Sequence, residues 1–431
     1  MSTRKILHAA DIHLDSPLQK LDQYENAPVD RIRSASRRAL ENMVQLAIAE
    51  SVDLVVIAGD LYDGDWTDQN TGLFFVNQAN QLVSAGIPMA VIRGNHDAMN
   101  LMTSSLPLPK NPDGSQIMLA ADKVDQRTFE SIGVAVHGRS FRSRKESENL
   151  AITYPKPLGG LFNLGLLHTC LEGNENHARY APCTSAQLAD KNYNYWALGH
   201  IHQRGEHQID GAAPVVFSGN IQGRHIRESG AKGCVIVDVD TAGQCTQTFH
   251  PLDVVRWQVC RIDATGLDDA DEVQDAFRDW LGPAIQSVQN RLLVTRVEIV
   301  GATKLHTQLH RMGGQLTASL RAATVAFGDQ VWLENVKLKT RALASADSVS
   351  VDDGPMKSLA AAIAELQESA DFGDILEQEF RGLIKKLPDE LPIDTDGGLL
   401  DHADSERRQE LLDSAAAEIR GRLSAAAGGK A

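Results

Sequence analysis

The stretch Leu54-Val55-Val56-Ile57-Ala58-Gly59-Asp60-Leu61-Tyr62-Asp63 sets the reading of the whole chain. Leu54 to Ile57 are consecutive large or branched apolar residues, the pattern of a strand buried on both faces in a sheet covered by helices. The run ends in Ala58-Gly59-Asp60, so a carboxylate stands at the carboxyl end of that strand. Such strand ends form the crevice in which open α/β sheets bind ligands. An unpaired carboxylate there is costly to bury, so other residues of the chain must compensate Asp60.

Four further stretches repeat the design. Ile6 to Ala10 runs into Asp11-Ile12-His13, and Ile87 to Ile92 into Gly94-Asn95-His96-Asp97. Leu164 to Leu167 runs into His168, and Tyr195 to Leu198 into Gly199-His200-Ile201-His202. Asp11 and His13, like His200 and His202, are two apart, which in extended chain turns both side chains to one side. A lone histidine is usually a satisfied structural residue. Five such motifs in order, each after a strand-like run, point instead to a metal site. Ligands of Asp, Asn and His type without thiolate suit a divalent ion of intermediate hardness, such as Mn²⁺, Fe²⁺ or Zn²⁺.

The ordered set D-x-H, G-D-x-x-D, G-N-H-D, H and G-H-x-H resembles the calcineurin-like metallophosphoesterases. That resemblance implies a four-layer α/β/β/α sandwich holding two divalent ions, Mn²⁺ foremost. It implies one ion on Asp11, His13, Asp60 and His202, and the other on Asp60, Asn95, His168 and His200, with Asp60 bridging. It implies that His96 protonates the leaving oxygen and that Asp63 keeps His96 charged and oriented. Archaeal and eukaryotic break-repair nucleases of this family usually carry His at the Asp63 position, so this chain stands nearer bacterial nucleases and phosphatases. The charge arithmetic agrees with phosphate chemistry: two divalent ions against the carboxylates of Asp11 and Asp60 leave about +2, which attracts a phosphodiester and acidifies bound water.

The opening His8 to Leu18 (HAADIHLDSPL), the segment Leu166 to Cys183, Ala197 to Arg204 and the turn Ser218 to His225 narrow the resemblance to the SbcD/YhaO group of bacterial DNA repair exonucleases. For the group this implies DNA as substrate, a small capping domain after the catalytic one, and helices that bind the coiled-coil base of an SMC-type ATPase. A small-molecule or cyclic-nucleotide phosphodiesterase is the rival reading; it needs neither capping domain nor helical tail.

Composition is compatible with this. The 431 residues suggest two or three domains, and 42% hydrophobic content supplies a large core. No apolar run reaches membrane-spanning length, and Met1-Ser2-Thr3-Arg4-Lys5 leads into a strand rather than a leader, so no membrane partner is expected. Cys170, Cys183, Cys234, Cys245 and Cys260 contain no CxxC and read as reduced residues of a cytoplasmic protein. The net charge of −15 divides as −5 over residues 1–250, zero over 251–345 and −10 over 346–431. The overall acidity therefore says little about what the first part binds.

Three domains follow: 1–250 catalytic, 251–345 an α+β capping domain, and 346–431 an acidic helical tail for the ATPase partner, with a homodimer admitted. Helices are expected over Arg31 to Glu50, Asn70 to Ala85 (stopped by Gly86 and Pro88), Asp269 to Leu281 and Leu305 to Ala323. Strands are expected over Val254 to Ile262, Leu292 to Val300 and Val331 to Leu338. Arg31, Arg33, Arg37 and Arg38 read as a solvated helix face. Arg224 and His225, in a Gly-rich basic turn, are candidate substrate contacts; the segment with His177, Arg179 and Tyr180 is a candidate lining of the cleft, and His177, which has no spacing partner, is not read as a ligand.

Overall fold

The computed structural model describes residues 3–18, 26–63, 69–98, 107–172, 179–207 and 212–343, with isolated positions at 358, 361, 362 and 365. The expected tail at 346–431 and His177 lie outside the described residues, those isolated positions apart. The chain divides into two compact units, Met1–Gln258 with Val288–Val294, and Val259–Ser287 with the chain from Thr295 on. The division falls later than 250/251 because the start of the next strand is stitched to the first unit. Trp257 Nε1 donates to the Gly223 carbonyl at 2.9 Å, Val254 N to Gln222 Oε1 at 2.9 Å, and Arg291 Nε to the Asp253 carbonyl at 2.7 Å.

The first unit begins with β1 (Arg4–Ala9), helices α1 (Val29–Arg33) and α2 (Ala35–Ala49), β2 (Leu54–Ala58), α3 (Gln69–Ser84) and β3 (Met89–Ile92). It continues with β4 (Asp125–Phe129), β5 (Val134–Gly138), β6 (Phe162–His168), the short helix α4 (Ser185–Ala189), β7 (Tyr195–Gly199), β8 (Gly205–His207), β9 (Val215–Phe217), β10 (Gly233–Val239) and β11 (Cys245–Pro251). These strands form a five-stranded sheet ordered β11-β10-β1-β2-β3 and a six-stranded sheet ordered β4-β5-β6-β7-β9-β8. The central pairs β1–β2, β2–β3, β5–β6, β6–β7 and β7–β9 are parallel. Their carboxyl ends therefore emerge together.

Strand alternation explains why these segments read as unbroken apolar runs. On one face of the first sheet Leu7, Val55, Ile57 and Val91 pack against Leu40, Met43, Phe75 and Leu82 of α2 and α3. On the other face Ile6, Leu54, Val56 and Ile92 pack against Val134, Val136, Leu164, Leu166 and Ala197 of the second sheet. The outer face of that sheet, with Leu167, Trp196, Leu198 and Phe217, is covered by Phe141, Leu150, Tyr154 and Leu188. This fourth layer is mostly loop, with the five residues of α4 as its α-helix. Burial of the large side chains here stabilises by roughly 1.5–3 kcal/mol each.

The expected helix from Arg31 is interrupted at Ser34, whose Oγ donates to the Asp30 carbonyl at 2.6 Å and competes with the helix ladder. Arg37 is only partly solvated: its side chain is 34% exposed, and its guanidinium clasps Asp15, with Nε donating to Oδ1 at 2.9 Å, and lies 5.1 Å from the Phe74 ring centre. Gly86, at φ 79°, closes α3 and directs the chain into β3.

The chain from Val255 on forms α5 (Asp271–Val288), α6 (His306–Arg311) and α7 (Gly313–Val325), with a sheet ordered β12 (Val255–Asp263), β13 (Leu292–Thr303), β14 (Val331–Ala342); the first residues of β12 and β13 count with the first unit and the rest of these strands with the second. Helix α5 runs past the expected end through Pro283, and the expected helix from Leu305 is broken at Met312. No helix among the described residues is long and apolar enough to cross a membrane. The five cysteines are free thiols.

Candidate metal centre

Each motif lies where its parallel strand ends. Asp11 and His13 follow β1, Asp60 and Asp63 follow β2, Asn95 and His96 follow β3, His168 ends β6, and His200 and His202 follow β7. The backbone turns sharply there: Asp11, His13, Asp60 and His200 have φ of 50°, 45°, 52° and 99°. Left-handed non-glycine residues cost about 1–3 kcal/mol each and gather at functional sites. Asp11 N donates to the Gly59 carbonyl and His13 N to the Asp60 carbonyl, both at 3.0 Å, which locks the first two turns together. Glycine is required at Gly94, where a Cβ would collide with the Asp60 carboxylate and lie 2.7 Å from His168 Cε1.

Among the described residues, three groups gather ligand atoms within 4.8 Å of one another: Asp11, His13 and His202; Asp11, Asp60 and His168; and His13, Asp60 and His96. Asn95 joins them, its Oδ1 lying 3.0 Å from His168 Nε2. The His200 ring lies edge-on to the His168 ring with centroids 5.2 Å apart and is in none of the three groups. His200 N donates to both Asp11 oxygens at 3.0 and 3.1 Å. That His96 stands within ligand range of His13 and Asp60 was not legible from its place after Asn95.

The donor set fits divalent ions. His168 Nδ1 donates to the Ala58 carbonyl at 2.9 Å, and its Nε2 faces Asn95 Oδ1 at 3.0 Å and Asp60 Oδ2 at 3.4 Å. Burial opposes charge on His168, but Asp60 and then Asp11 outweigh it and raise His168 to about 9, so a proton occupies the place a cation would take. His202 Nδ1 donates to Glu228 Oε1 at 2.7 Å, so its Nε2 lone pair faces His13 Nε2 at 3.1 Å. Ligand-type atoms thus converge on one another and on the Asp60 carboxylate, an arrangement that a cation satisfies, and each of these two rings is oriented through its second nitrogen as metal-binding histidines are. Burial, followed by the Arg224 charge, lowers His13 to about 3 and keeps its imidazole neutral.

Beside this cluster His96 Nδ1 donates to Asp63 Oδ1 at 2.7 Å. Burial opposes charge on His96, but Asp60 and Asp63 outweigh it and raise His96 to about 9. Burial likewise works to raise Asp63, yet His13, His96 and Arg224 hold its carboxyl far below the usual range. Ser16 Oγ also donates to Asp63.

The turn after β9 departs from the simple substrate-contact reading. Arg224 turns inward, its Nη2 donating to Glu228 Oε1 at 3.0 Å and its Nη1 reaching Asp63 Oδ2 at 3.5 Å, whereas His225 is exposed. Glu228 had no assigned role; it is buried and joins His202 to Arg224. The signal was the i,i+4 spacing of Arg224 and Glu228 in a basic turn. Asp97 was also passed over. It accepts Leu61 N at 2.8 Å, Tyr62 N at 2.7 Å and Gly94 N at 3.3 Å, fixing the loop between Asp60 and Asp63.

This arrangement defines a metal-dependent phosphoesterase site. Residues 4–204 match the family model of the calcineurin-like phosphoesterases. Residues 257–341 match that of the middle domain of metallophosphoesterase YhaO. The chain carries a calcineurin-like metallophosphoesterase domain of the YhaO type, homologous to the Mre11 and SbcD proteins. Among its relatives is the uncharacterized metallophosphoesterase YhaO of Bacillus subtilis, 33% identical over 60% of this chain and 63% of that protein, just under two thirds of its length. Another is the DNA double-strand break repair protein Mre11 of Sulfurisphaera tokodaii, 28% identical over 62% of this chain and 67% of that one. A third is the SbcD component of the SbcCD nuclease of Staphylococcus epidermidis, 24% identical over 58% of this chain and 70% of that one.

Proposed function

We propose that this protein is a dinuclear-metal DNA phosphodiesterase, a nuclease of DNA repair that works with an SMC-type ATPase. The observation that supports it best is the pairing of a charged His96–Asp63 dyad, 2.7 Å apart, with buried converging acceptors beside it. Asp11, His13, Asp60 and His202 would hold one ion, and Asp60, Asn95, His168 and His200 the other. Such ions polarise a phosphoryl oxygen and supply a nucleophile at neutral pH. The chain's own residues then divide the labour. Asp60 fixes the dyad by accepting His96 N at 2.9 Å. His96 donates a proton to the leaving oxygen, and Asp63 keeps that imidazole protonated and aimed.

The test is digestion of end-labelled single- and double-stranded DNA with a cyclic nucleotide alongside. Mn²⁺ should support far more activity than Mg²⁺, because a histidine-rich site suits the softer ion. Full activity of metal-free protein in Mg²⁺ alone refutes the metal choice. Turnover of the cyclic nucleotide without DNA cleavage establishes the small-molecule reading instead. Removing residues 346–431 should leave nuclease activity and abolish binding to the ATPase.

A further inference from the structure

The metal centre has a second flank whose cations the chemistry above does not use. The loop after β5 runs Gly138-Arg139-Ser140-Phe141-Arg142-Ser143-Arg144-Lys145. Its Phe141 ring stands edge-on to His168 with centroids 5.4 Å apart, and Phe141 N donates to the Arg93 carbonyl at 3.0 Å. Arg93 N in turn donates to Ser140 Oγ at 3.1 Å. The same loop is tied to the segment after β6: Ala181 N donates to the Glu146 carbonyl at 2.7 Å, and Cys170 N to the Tyr180 carbonyl at 2.9 Å. The Tyr180 ring meets His200 edge-on at 5.5 Å. Three segments thus form one hydrogen-bonded wall that touches the candidate centre at His168 and His200.

The wall is basic. Arg142, Lys145 and Arg179 are exposed and Arg93 is half-buried. None of these four forms an ion pair with another described residue. Arg142 reaches only the Asp122 carbonyl, at 3.5 Å, and the buried Arg93 Nε has no hydrogen-bond partner among the described residues. Of the neighbouring carboxylates, Glu146 is buried and Glu172 accepts Ser185 N at 3.0 Å, while Glu148 and Asp122 are exposed and form no ion pair with these four cations. Cations left without carboxylates beside a phosphoester site suit a chain of phosphates, whereas a single small diester needs no such extension.

We propose that Arg93, Arg142, Lys145 and Arg179 grip the sugar–phosphate backbone of a DNA strand on the His168–His200 side of the centre. This rests on the phosphodiesterase reading and deepens it. The contacts are to phosphates and read no sequence, so the grip is electrostatic, salt-dependent and indifferent to base identity.

The test compares the full-length protein with its Arg142→Ala/Lys145→Ala/Arg179→Ala variant, all three side chains being exposed. Binding of a labelled oligonucleotide is followed by fluorescence anisotropy in EDTA across a salt series, so that no turnover enters. Each phosphate contact contributes roughly 0.7–0.9 to the slope of log K against log salt. The triple variant should therefore lose about 2–3 from that slope and bind at least tenfold more weakly at low salt. Lysine at positions 142 and 179 should restore most of the slope. Equal slopes and affinities for the two proteins overturn the wall while leaving the nuclease reading intact, as does a loss confined to anionic lipid vesicles. Failure of the parent protein to bind or cut DNA, while it hydrolyses bis(p-nitrophenyl) phosphate with Mn²⁺, overturns both.

Discussion

Replacing Glu228 by Gln removes one charge and changes almost no volume, yet four donors depend on that carboxylate. His202 Nδ1 and Arg224 Nη2 reach Oε1 at 2.7 and 3.0 Å, and Arg224 N and Asn220 Nδ2 reach Oε2 at 2.7 and 3.0 Å. Burial works to raise this carboxyl, but Arg224 and His202 outweigh it and hold it well below the usual range. A glutamine offers one acceptor and one donor, so in either orientation its NH₂ meets two donors. Each orphaned donor costs about 1–3 kcal/mol. Arg224, only 18% exposed at its side chain, keeps Asp63 at 3.5 Å as its remaining carboxylate. Breaking a buried pair in this way costs about 3–5 kcal/mol, a fall in Tm of roughly 6–20 °C for a unit of this size. His202 also loses the partner that turns its Nε2 inward, which should weaken metal binding about 10- to 100-fold. The assay is thermal unfolding with and without Mn²⁺, together with metal content per chain. Adding Arg224→Met should restore part of the stability, because the stranded charge is then gone. A Glu228→Gln protein that melts with the parent and retains its metal refutes this account of the turn.

Three other perturbations separate the roles of neighbouring residues. His96→Ala should keep the metal content while turnover falls roughly 10²–10⁴-fold, and Asp63→Asn should lose less; loss of metal from His96→Ala would make it a ligand, as its range to His13 and Asp60 permits. Gly94→Ala should lose metal and activity together, since its Cβ has no space beside Asp60 and His168; a fully loaded, active Gly94→Ala protein contradicts the packing. His8 is buried between the Tyr195 hydroxyl at 3.1 Å and the Leu198 carbonyl at 3.2 Å, and burial lowers it from 6.5 to about 3. Above pH 6.5 both folded and unfolded chains carry it neutral; as pH falls from 6.5 towards 3, only the unfolded chain takes up its proton. Stability is therefore lost with acid, by on the order of 5 kcal/mol at the limit, and urea unfolding of His8→Gln should show a shallower decline over that window.

What the sequence determined by itself was the frame and the contributors. A strand buried on both faces must be apolar throughout, so Asp60, Asn95, His168 and His200 announced themselves as polar residues at the ends of such runs. Parallel pairing then brings strand ends together, and the order of the motifs carried that information along the chain. Helix breaks were less legible: Ser34 and Met312 interrupt helices whose apolar periodicity continues across them. Only the tertiary structure decided how each candidate ligand is held. His13 meets His202 across 189 positions and Arg224 meets Asp63 across 161, and no local pattern encodes contacts that distant. The inward turn of Arg224 shows why. Its residue type and basic neighbours suggested a substrate contact, but the direction of a largely buried guanidinium is set by the carboxylates that compensate it, here Glu228 and Asp63.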